Sequence, residues 1–471
     1  MKTAPLFSIH EVVTATGGTL LGGLPREGIQ FTGVSTDSRQ CAPGNLFVAL
    51  QGENFDGHHF LDQAIQKGAA GLLIHRRPEK TPHDLPVILA PDTLQALGDL
   101  AHFWRRRFSP TIIAITGSSG KTTTKEMAAA ILESGRNILK TEGNFNNLIG
   151  LPLTIFNLNH DHTLAILELG TNRRGEIARL TKIATPEIGL ITNIGPAHLE
   201  GFASLAGVAE EKMDLFLNMP RSGTIIINRD DPFLRNSGDA WTGRCVSFGL
   251  KEGADVGAEK IAYRHDQGTS FTLRIGKDRQ EVVMPIAGEH HVMNALAAAA
   301  SARVAGATIA DIGRGLTNFS PVPGRMEVLP LGNGAFVIND TYNANPASVG
   351  EALKTLNNLK GKGRSVVVLG DMLELGNQEE IWHQEIGGLL ADTGVDRVYL
   401  RGRLAGATAA GASKQGLPAS SVIFREDPEE IAGDIISYAK EGDWILVKGS
   451  RRMRMETIVE MIVSKAGRRS R

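Results

Sequence analysis

The sequence predicts an α/β protein of three domains, spanning 1–91, 92–320 and 321–471, with a mostly parallel sheet at its centre. Three observations carry that prediction. The apolar run Ile112-Ile-Ala-Ile-Thr116 breaks into Gly117-Ser118-Ser119-Gly120 and resumes as a helical pattern from Lys121-Thr122-Thr123. From 111 to about 320, strand-like and helix-like segments alternate, the mark of a parallel sheet covered on both faces. After the linker Pro321-Val-Pro323-Gly324-Arg325 the alternation restarts as a second α/β unit. A chain of 471 residues is also too long for one ordinary core.

Composition narrows the function classes. Lys and Arg number 50 against 51 Asp and Glu, a formal net charge of −1, so the overall balance points neither to nucleic acid nor to a membrane surface. The basic clusters at 105–107 and 451–452 read as solvated faces or small anion sites. Cys41 and Cys245 lie far apart and form no C-x-x-C pair, which fits a reducing compartment without structural zinc. The first residues lack an apolar core of signal-peptide length, and no run approaches a membrane span. A cytoplasmic protein is the expectation. No internal repeat or low-complexity tract is visible.

The glycine-rich stretch is the strongest chemical signal. Glycines let backbone N–H groups approach a polyphosphate, and the helix that comes next presents its positive end. Lys121 and Thr122 stand where a P-loop places its phosphate-binding Lys and its Mg²⁺-binding hydroxyl, so ATP with Mg²⁺ is the expected occupant. The bland alternative, a tight turn beside a solvated lysine, lacks a reason for the β-branched strand ahead and the Ala/Met/Ile/Leu helix behind. The pattern departs from G-x-x-x-x-G-K-[ST], because Ile115 stands five positions before Gly120. The short form T-G-S-S-G-K-T-T resembles the Mur ligase family.

In chain order, the first ninety or so residues show short strands, turns and one helical segment. Ser35-Thr-Asp37-Ser38-Arg39, Leu46-Phe-Val-Ala-Leu50 and Asp56-Gly57-His58-His-Phe60 succeed one another there. A turn rich in Asp, Ser and Gly is usually only a turn. The order S-x-D-S-R, P-G-x-L-F-V-A-L-x-G, D-G-H-x-F is nevertheless similar to the UDP-sugar-holding N-terminal domain of the later Mur ligases. That resemblance implies substrate contacts from Ser35, Asp37, Ser38, Arg39, Asp56 and His58, and Arg39 is chemically a bidentate phosphate donor. An exposed helix from 92 to about 108 is expected to lead into the phosphate-loop strand.

Next, Gly143-Asn144-Phe-Asn146-Asn147-Leu-Ile-Gly150-Leu-Pro152 gathers polar groups before a helix, where a cap is the ordinary explanation. It also resembles the stretch that serves phosphates and Mg²⁺ in the dipeptide-adding member of the family, which implies roles for Asn144 and, above all, Asn147. The strand Leu164-Ala-Ile-Leu-Glu168 ends in a carboxylate at the edge where ligands sit in open α/β sheets, making Glu168 a candidate Mg²⁺ ligand. Ile191-Thr-Asn193-Ile-Gly195-Pro-Ala-His198-Leu-Glu200 is similar to the family's metal motif, which implies a second Mg²⁺ on His198. Imidazole is an unusual ligand for that ion, so the assignment rests on the resemblance. Lys212 comes fourteen residues later on a predicted helix. On base rates it is an i,i+4 partner for an acid. Its context resembles the family lysine that is carbamylated, a change that would turn a cation into a metal ligand. Gly288-Glu289-His290-His291-Val-Met-Asn294 opens a buried Ala/Leu helix. The family pattern there is G-R-H-N-x-x-N, so only His290 and Asn294 carry over as adenine contacts, and Glu289 and His291 depart from it.

The third unit is expected to be Rossmann-like. Its motifs Asn339-Asp340-Thr-Tyr342-Asn343-Ala-Asn345-Pro346-Ala-Ser348, Gly370-Asp371-Met-Leu-Glu374-Leu-Gly376 and Val447-Lys448-Gly449-Ser450-Arg451 look like the C-terminal domain of the dipeptide-adding branch. The resemblance implies Arg325 on the phosphates, Asp340 and Asn343 on the nucleotide, and Asn345, Ser348, Lys448 and Ser450 toward substrate. Over the whole chain it implies an ATP-dependent, ADP-forming amide ligase acting in the cytoplasm on UDP-MurNAc-tripeptide and D-alanyl-D-alanine through an acyl phosphate. Lys121, His198 and Lys212 are then the catalytic set, the molecule a monomer, and the linker at Pro321–Pro323 a hinge for domain closure. Two other readings stand beside it. A folylpolyglutamate synthase-like ligase shares the ATP domain but lacks the S-T-D-S-R and D-G-H-x-F segments, and a P-loop switch would bind nucleotide without ligation.

Overall fold

The computed structural model describes residues 6–22, 28–79, 84–197, 199–264 and 267–467. They form an N-terminal, a central and a C-terminal domain, each built on its own sheet.

In the N-terminal domain five strands run in the spatial order Thr19–Leu21, Val87–Leu89, Gly71–Ile74, Asn45–Val48, Gly33–Ser35, parallel except for the first pair. Two α-helices stand here, Ile9–Thr16 and Leu61–Gln66, where the sequence suggested one helical segment. The first is short, but Ser8 and Glu11 close a capping box at its start, and Gly17 ends it at φ +62°.

The helix Thr93–Arg105 corrects the expectation of an exposed segment. Ala96, Leu97, Leu100, Ala101 and Trp104 keep helical spacing and are buried, because the helix lies between Ile9–Thr16 of the N-terminal domain and Gly150–Ile155 and Glu176–Ala184 of the central one. Charged residues at its end masked that apolar stripe. Trp104 packs edge-on against Phe7 with ring centroids 5.1 Å apart, and its Nε1 donates to the Leu158 carbonyl at 3.1 Å. Trp104→Ala is expected to destabilise the protein by roughly 3–5 kcal/mol, read as a lowered denaturation midpoint.

The central sheet has nine strands in the order 278–284, 269–275, 256–263, 244–248, 224–228, 188–191, 111–116, 164–168, 138–140. It is parallel from the last of these to 256–263, and two antiparallel pairings complete it. Alternation along Thr111–Thr116 sorts its side chains between two cores. Ile113 and Ile115 join the cluster under helices Lys121–Leu132 and Glu289–Val304, while Ile112 and Ala114 join Leu100, Leu180 and Leu215 on the opposite face. A strand buried on both sides must be apolar throughout, which is why this one reads as a continuous run.

The C-terminal sheet has six strands in the order Glu327–Pro330, Phe336–Asp340, Trp444–Lys448, Ser365–Gly370, Arg397–Arg401, Val422–Phe424, with only the first pair antiparallel. The loop after Ser365–Gly370 is held from beneath by the buried His383 of helix Glu379–Asp392. Its Nε2 accepts from Met372 N at 3.0 Å and its Nδ1 lies 2.7 Å from the Glu379 carbonyl, which fixes the Nδ1-protonated neutral ring. Burial holds its pKa below the ordinary histidine value. The unfolded chain therefore binds the proton first as pH falls through the mid-sixes, and folding stability falls with it. His383→Gln keeps a neutral acceptor for Met372 N. Its melting midpoint should consequently drop less than that of the parent chain between pH 7.5 and 5.5. Among the described residues no helix is long and apolar enough to cross a membrane.

Candidate active site

A cavity of about 790 Å³ opens where the carboxyl ends of the central strands face the C-terminal domain. Its floor is the loop between Thr111–Thr116 and helix Lys121–Leu132. Gly120 caps that helix at φ +78°, and a Cβ there would stand 2.2 Å from Asn294 Oδ1, so backbone conformation and space both require glycine. Asn193 braces the loop: its carbonyl accepts from Ser118 N at 3.0 Å, and its Oδ1 accepts from Ser119 N at 3.0 Å. Gly117 itself does not line the cavity, but its carbonyl accepts from Lys121 Nζ at 2.7 Å, curling the lysine over the loop. Burial lowers the Lys121 pKa, Glu168 opposes that, and Arg325 reinforces it. Ser118, Ser119, Thr122 and Thr123 complete the lining from this loop.

Thr122 is the junction of the site. Its Oγ1 donates to Glu168 Oε2 at 2.9 Å and accepts from Arg325 Nη2 at 2.9 Å. The C-terminal domain thus already reaches the phosphate loop. Glu168 Oε1 accepts from Asn146 Nδ2 at 2.8 Å. Asn147, favoured from the sequence, lines the cavity, but its Oδ1 accepts from Ile149 N and Gly150 N at 3.1 and 2.9 Å and so works as a cap. Asn144 lines the cavity as well. No cluster of three or more His, Cys, Asp or Glu suited to a metal occurs among the described residues. The donor chemistry nonetheless fits Mg²⁺, which takes few protein oxygens and completes its shell with phosphate and water. Thr122 and Glu168 supply such a pair of hard oxygens. His198 lies outside the described residues.

Lys212, on helix Leu205–Asn218, lines the same cavity and is only 2% exposed. Its neighbour Glu211 is committed elsewhere, accepting from Gly175 N at 2.6 Å, Ile177 N at 2.8 Å and Thr171 Oγ1 at 3.1 Å. Burial and then the Lys121 charge push the Lys212 pKa well below the ordinary lysine value, with Glu211 partly opposing them. Both causes act toward the neutral amine, the form that can react with an electrophile.

At the start of Glu289–Val304, the His290 and His291 rings lie tilted at 45° with centroids 4.0 Å apart, and Asn294 Nδ2 lies 3.3 Å from His291 Nδ1. Burial lowers the pKa of both rings. The C-terminal domain adds Arg325, Asp340, Asn343, Asn345, Ser348 and Lys448 to the lining. Lys448 Nζ pairs with Asp340 Oδ2 at 2.5 Å and donates to the Asn343 carbonyl at 3.0 Å. Asn345 and Ser348 are each other's capping box at the head of helix Pro346–Lys360. Ser450 lies off the cavity, its Oγ accepting from Leu373 N at 2.8 Å.

The N-terminal cluster is likewise not brought to this cavity. Arg39 spends its fork on Asp37, with Nε and Nη2 at 3.0 and 2.9 Å, and its side chain is 80% exposed. Ser35 bonds the Asp37 backbone, and Ser38 Oγ donates to Gln63 Oε1 at 2.6 Å. Asp56 holds His58 Nδ1 at 2.8 Å and Arg76 at 2.6 Å. An ion pair of 2.6 Å between Glu53 and Arg173 links this domain to the central one. Sequence reasoning missed Asn146, Asn193, Glu211 and Tyr342, of which Asn146, Asn193 and Tyr342 lie inside motifs legible in the sequence.

Three family profiles match in order along the chain: Mur ligase family, catalytic domain, at 30–105; Mur ligase middle domain at 115–302; and Mur ligase, glutamate ligase domain, at 324–451. The UDP-N-acetylmuramoyl-tripeptide--D-alanyl-D-alanine ligase of Escherichia coli is 39% identical over 447 residues, covering 94% of this chain and 96% of its own. The enzyme of the same name from Bacillus subtilis is 37% identical over 431 residues, covering 92% and 93%. Among solved structures, a MurF from Acinetobacter baumannii superposes with a TM-score of 0.89 at 32% identity, covering 98% of this chain and 100% of its own. MurF ligase from Thermotoga maritima in complex with ADP gives 0.82 at 30% identity, covering 92% and 97%. With relatives this similar over nearly its full length, the chain belongs to the Mur ligase family.

Proposed function

We propose that the protein joins D-alanyl-D-alanine to UDP-N-acetylmuramoyl-tripeptide at the expense of ATP, forming the pentapeptide precursor of peptidoglycan. The observation that carries this reading is the bridge Arg325–Thr122–Glu168, which joins a C-terminal domain cation, a phosphate-loop hydroxyl and a strand-end carboxylate across one cavity that also holds Lys121 and Lys212.

A terminal carboxylate oxygen of the tripeptide attacks the γ-phosphorus of ATP, making an acyl phosphate and releasing ADP. The dipeptide amine then attacks the acyl carbon, and the tetrahedral adduct expels inorganic phosphate as the amine gives up its proton. Bringing a carboxylate against a polyphosphate requires concentrated positive charge rather than a protein nucleophile. Lys121 and Arg325 supply it from two domains, and closure of the domains on the substrates would exclude water. Thr122 and Glu168 would hold one Mg²⁺ and His198 a second, with a carbamate on Lys212 to orient them, and the ions would supply further charge against the phosphates. His290 and Asn294 are proposed for the adenine, Asp340 for the ribose and Asn343 for the nucleotide beside it, with Lys448 fixing the Asp340 carboxylate. Ser35, Asp37, Ser38, Arg39, Asp56 and His58 are proposed for the UDP moiety, which would have to draw Arg39 away from Asp37. Phosphate release from ATP should require both the UDP-tripeptide and D-alanyl-D-alanine. Hydrolysis indifferent to either substrate would overturn the reading.

A further inference from the structure

Arg325 is held by more than Thr122. Its guanidinium carbon stands 4.0 Å from the centroid of the Tyr342 ring, and its Nε is buried without a hydrogen-bond partner among the described residues. A guanidinium at that distance over an aromatic face is attracted by the ring's quadrupole, and the attraction grows as water is removed. The backbone on both sides is tied to the same corner. Tyr342 N donates to the Gly324 carbonyl at 3.1 Å, which places the aromatic ring beside the linker turn. Met326 takes the left-handed conformation at φ +51°, and its N–H donates to Asp340 Oδ1 at 3.2 Å. A methionine in that region is uncommon and requires surrounding contacts to hold it. The base of Arg325 is therefore fixed between two anchors, and Tyr342 is the aromatic wall along its side chain. Tyr342 itself lines the cavity.

The orphaned Nε gives this packing a purpose. A guanidinium presents Nε and a terminal nitrogen as one planar edge, matched to two oxygens of a phosphate. Here Nη2 is already turned to the phosphate-loop hydroxyl, and Nε is desolvated without a partner. We propose that Tyr342 is a positioning residue: its ring face holds the Arg325 fork toward the terminal phosphate of the nucleotide, acting through the ring and not the hydroxyl. The proposal rests on the ligase reading for the chemistry that comes after phosphate binding, but the holding itself is visible in nucleotide affinity alone. Arg451, the other cation near this ring, lies 5.8 Å from its centroid, is exposed, and pairs with Glu456 at 3.1 Å, so the ring's close partner is Arg325.

The test compares a non-hydrolysable ATP analogue with ADP on the full chain, by titration of the parent and of Tyr342→Phe, Tyr342→Leu, Arg325→Ala and Tyr342→Leu/Arg325→Ala. Melting curves confirm that each variant folds. Tyr342→Phe should keep the parent's preference for the triphosphate to within about twofold, whereas Tyr342→Leu should lose about tenfold of it, with ADP affinity little changed. In the Arg325→Ala background, Tyr342→Leu should change the preference no further. Equal weakening of both nucleotides, a Phe variant as damaged as Leu, or a full additional loss without Arg325 would each overturn the proposal. So would a Leu variant indistinguishable from the parent; and if Leu fails to fold, the Phe variant and the Arg325→Ala comparison decide. Failure of the ligase reading would show separately, as phosphate release by the parent chain that ignores the dipeptide.

Discussion

Lys121→Ala is expected to fold like the parent chain and to lose at least roughly 10²–10³-fold in kcat, the range for removing one preorganised charge from a transition state. The fold should survive because Lys121 is the first residue of its helix, and its Nζ spends its hydrogen bond on the Gly117 carbonyl of the same loop. That bond orders the loop and breaks at little cost when a phosphate competes for the ammonium. Activity should not survive, since the transferred group carries charge on several oxygens and Arg325, the other cation at Thr122, comes from another domain. Steady-state kinetics beside a melting curve check both halves. A folded variant with ordinary turnover would remove the loop lysine from the mechanism.

Lys212→Ala is the second large effect, a comparable loss of turnover with partial recovery when short-chain carboxylates are added to fill the vacated space. Activity in the variant without any additive would show that Lys212 is an ordinary lysine. The buried setting also yields a stability result. In the uncarbamylated protein, with the amine's pKa held well below the ordinary lysine value, the folded state binds fewer protons than the unfolded chain at every pH between the two values. Stability therefore rises with pH toward the ordinary lysine range, near ~10.4, and the cost of burying the amine is fullest at low pH. Lys212→Met removes this dependence. It should raise the melting temperature at neutral pH while abolishing ligation, a stability gain taken at a functional site.

How much could be read in advance depends on how local the signals are. The strand, loop and helix from 111 to 132 were legible because glycines, an apolar run and a helical pattern adjoin one another in sequence. Glu168 was legible because a carboxylate closing a buried strand has few structural reasons to be there. The buried side of Thr93–Arg105 was missed although Ala96, Leu97, Leu100, Ala101 and Trp104 carried the right spacing, since the arginines at its end drew the reading toward solvent. Asn146 and Asn147 are neighbours, and only the turn geometry decides that one reaches Glu168 while the other caps a helix. Glu211 could not be found, because its three partners lie 34 to 40 residues away in sequence. Asn345 and Ser348 are a pair of another kind: a motif that reads as ligand-binding is, in the fold, also a helix cap. The Arg39–Asp37 fork teaches the same lesson, for a guanidinium suited to phosphate is equally suited to the carboxylate two residues before it.

Every role proposed for the cavity between the central and C-terminal domains turns on an acyl phosphate made there. Its most direct test starts from UDP-MurNAc-tripeptide labelled with ¹⁸O in the terminal carboxylate, turned over with ATP and D-alanyl-D-alanine. Because a carboxylate oxygen bonds to the γ-phosphorus and leaves with it, one labelled oxygen should appear in each inorganic phosphate, alongside a peptide product extended by the dipeptide. Phosphate carrying no label while the same product forms would contradict the acyl phosphate.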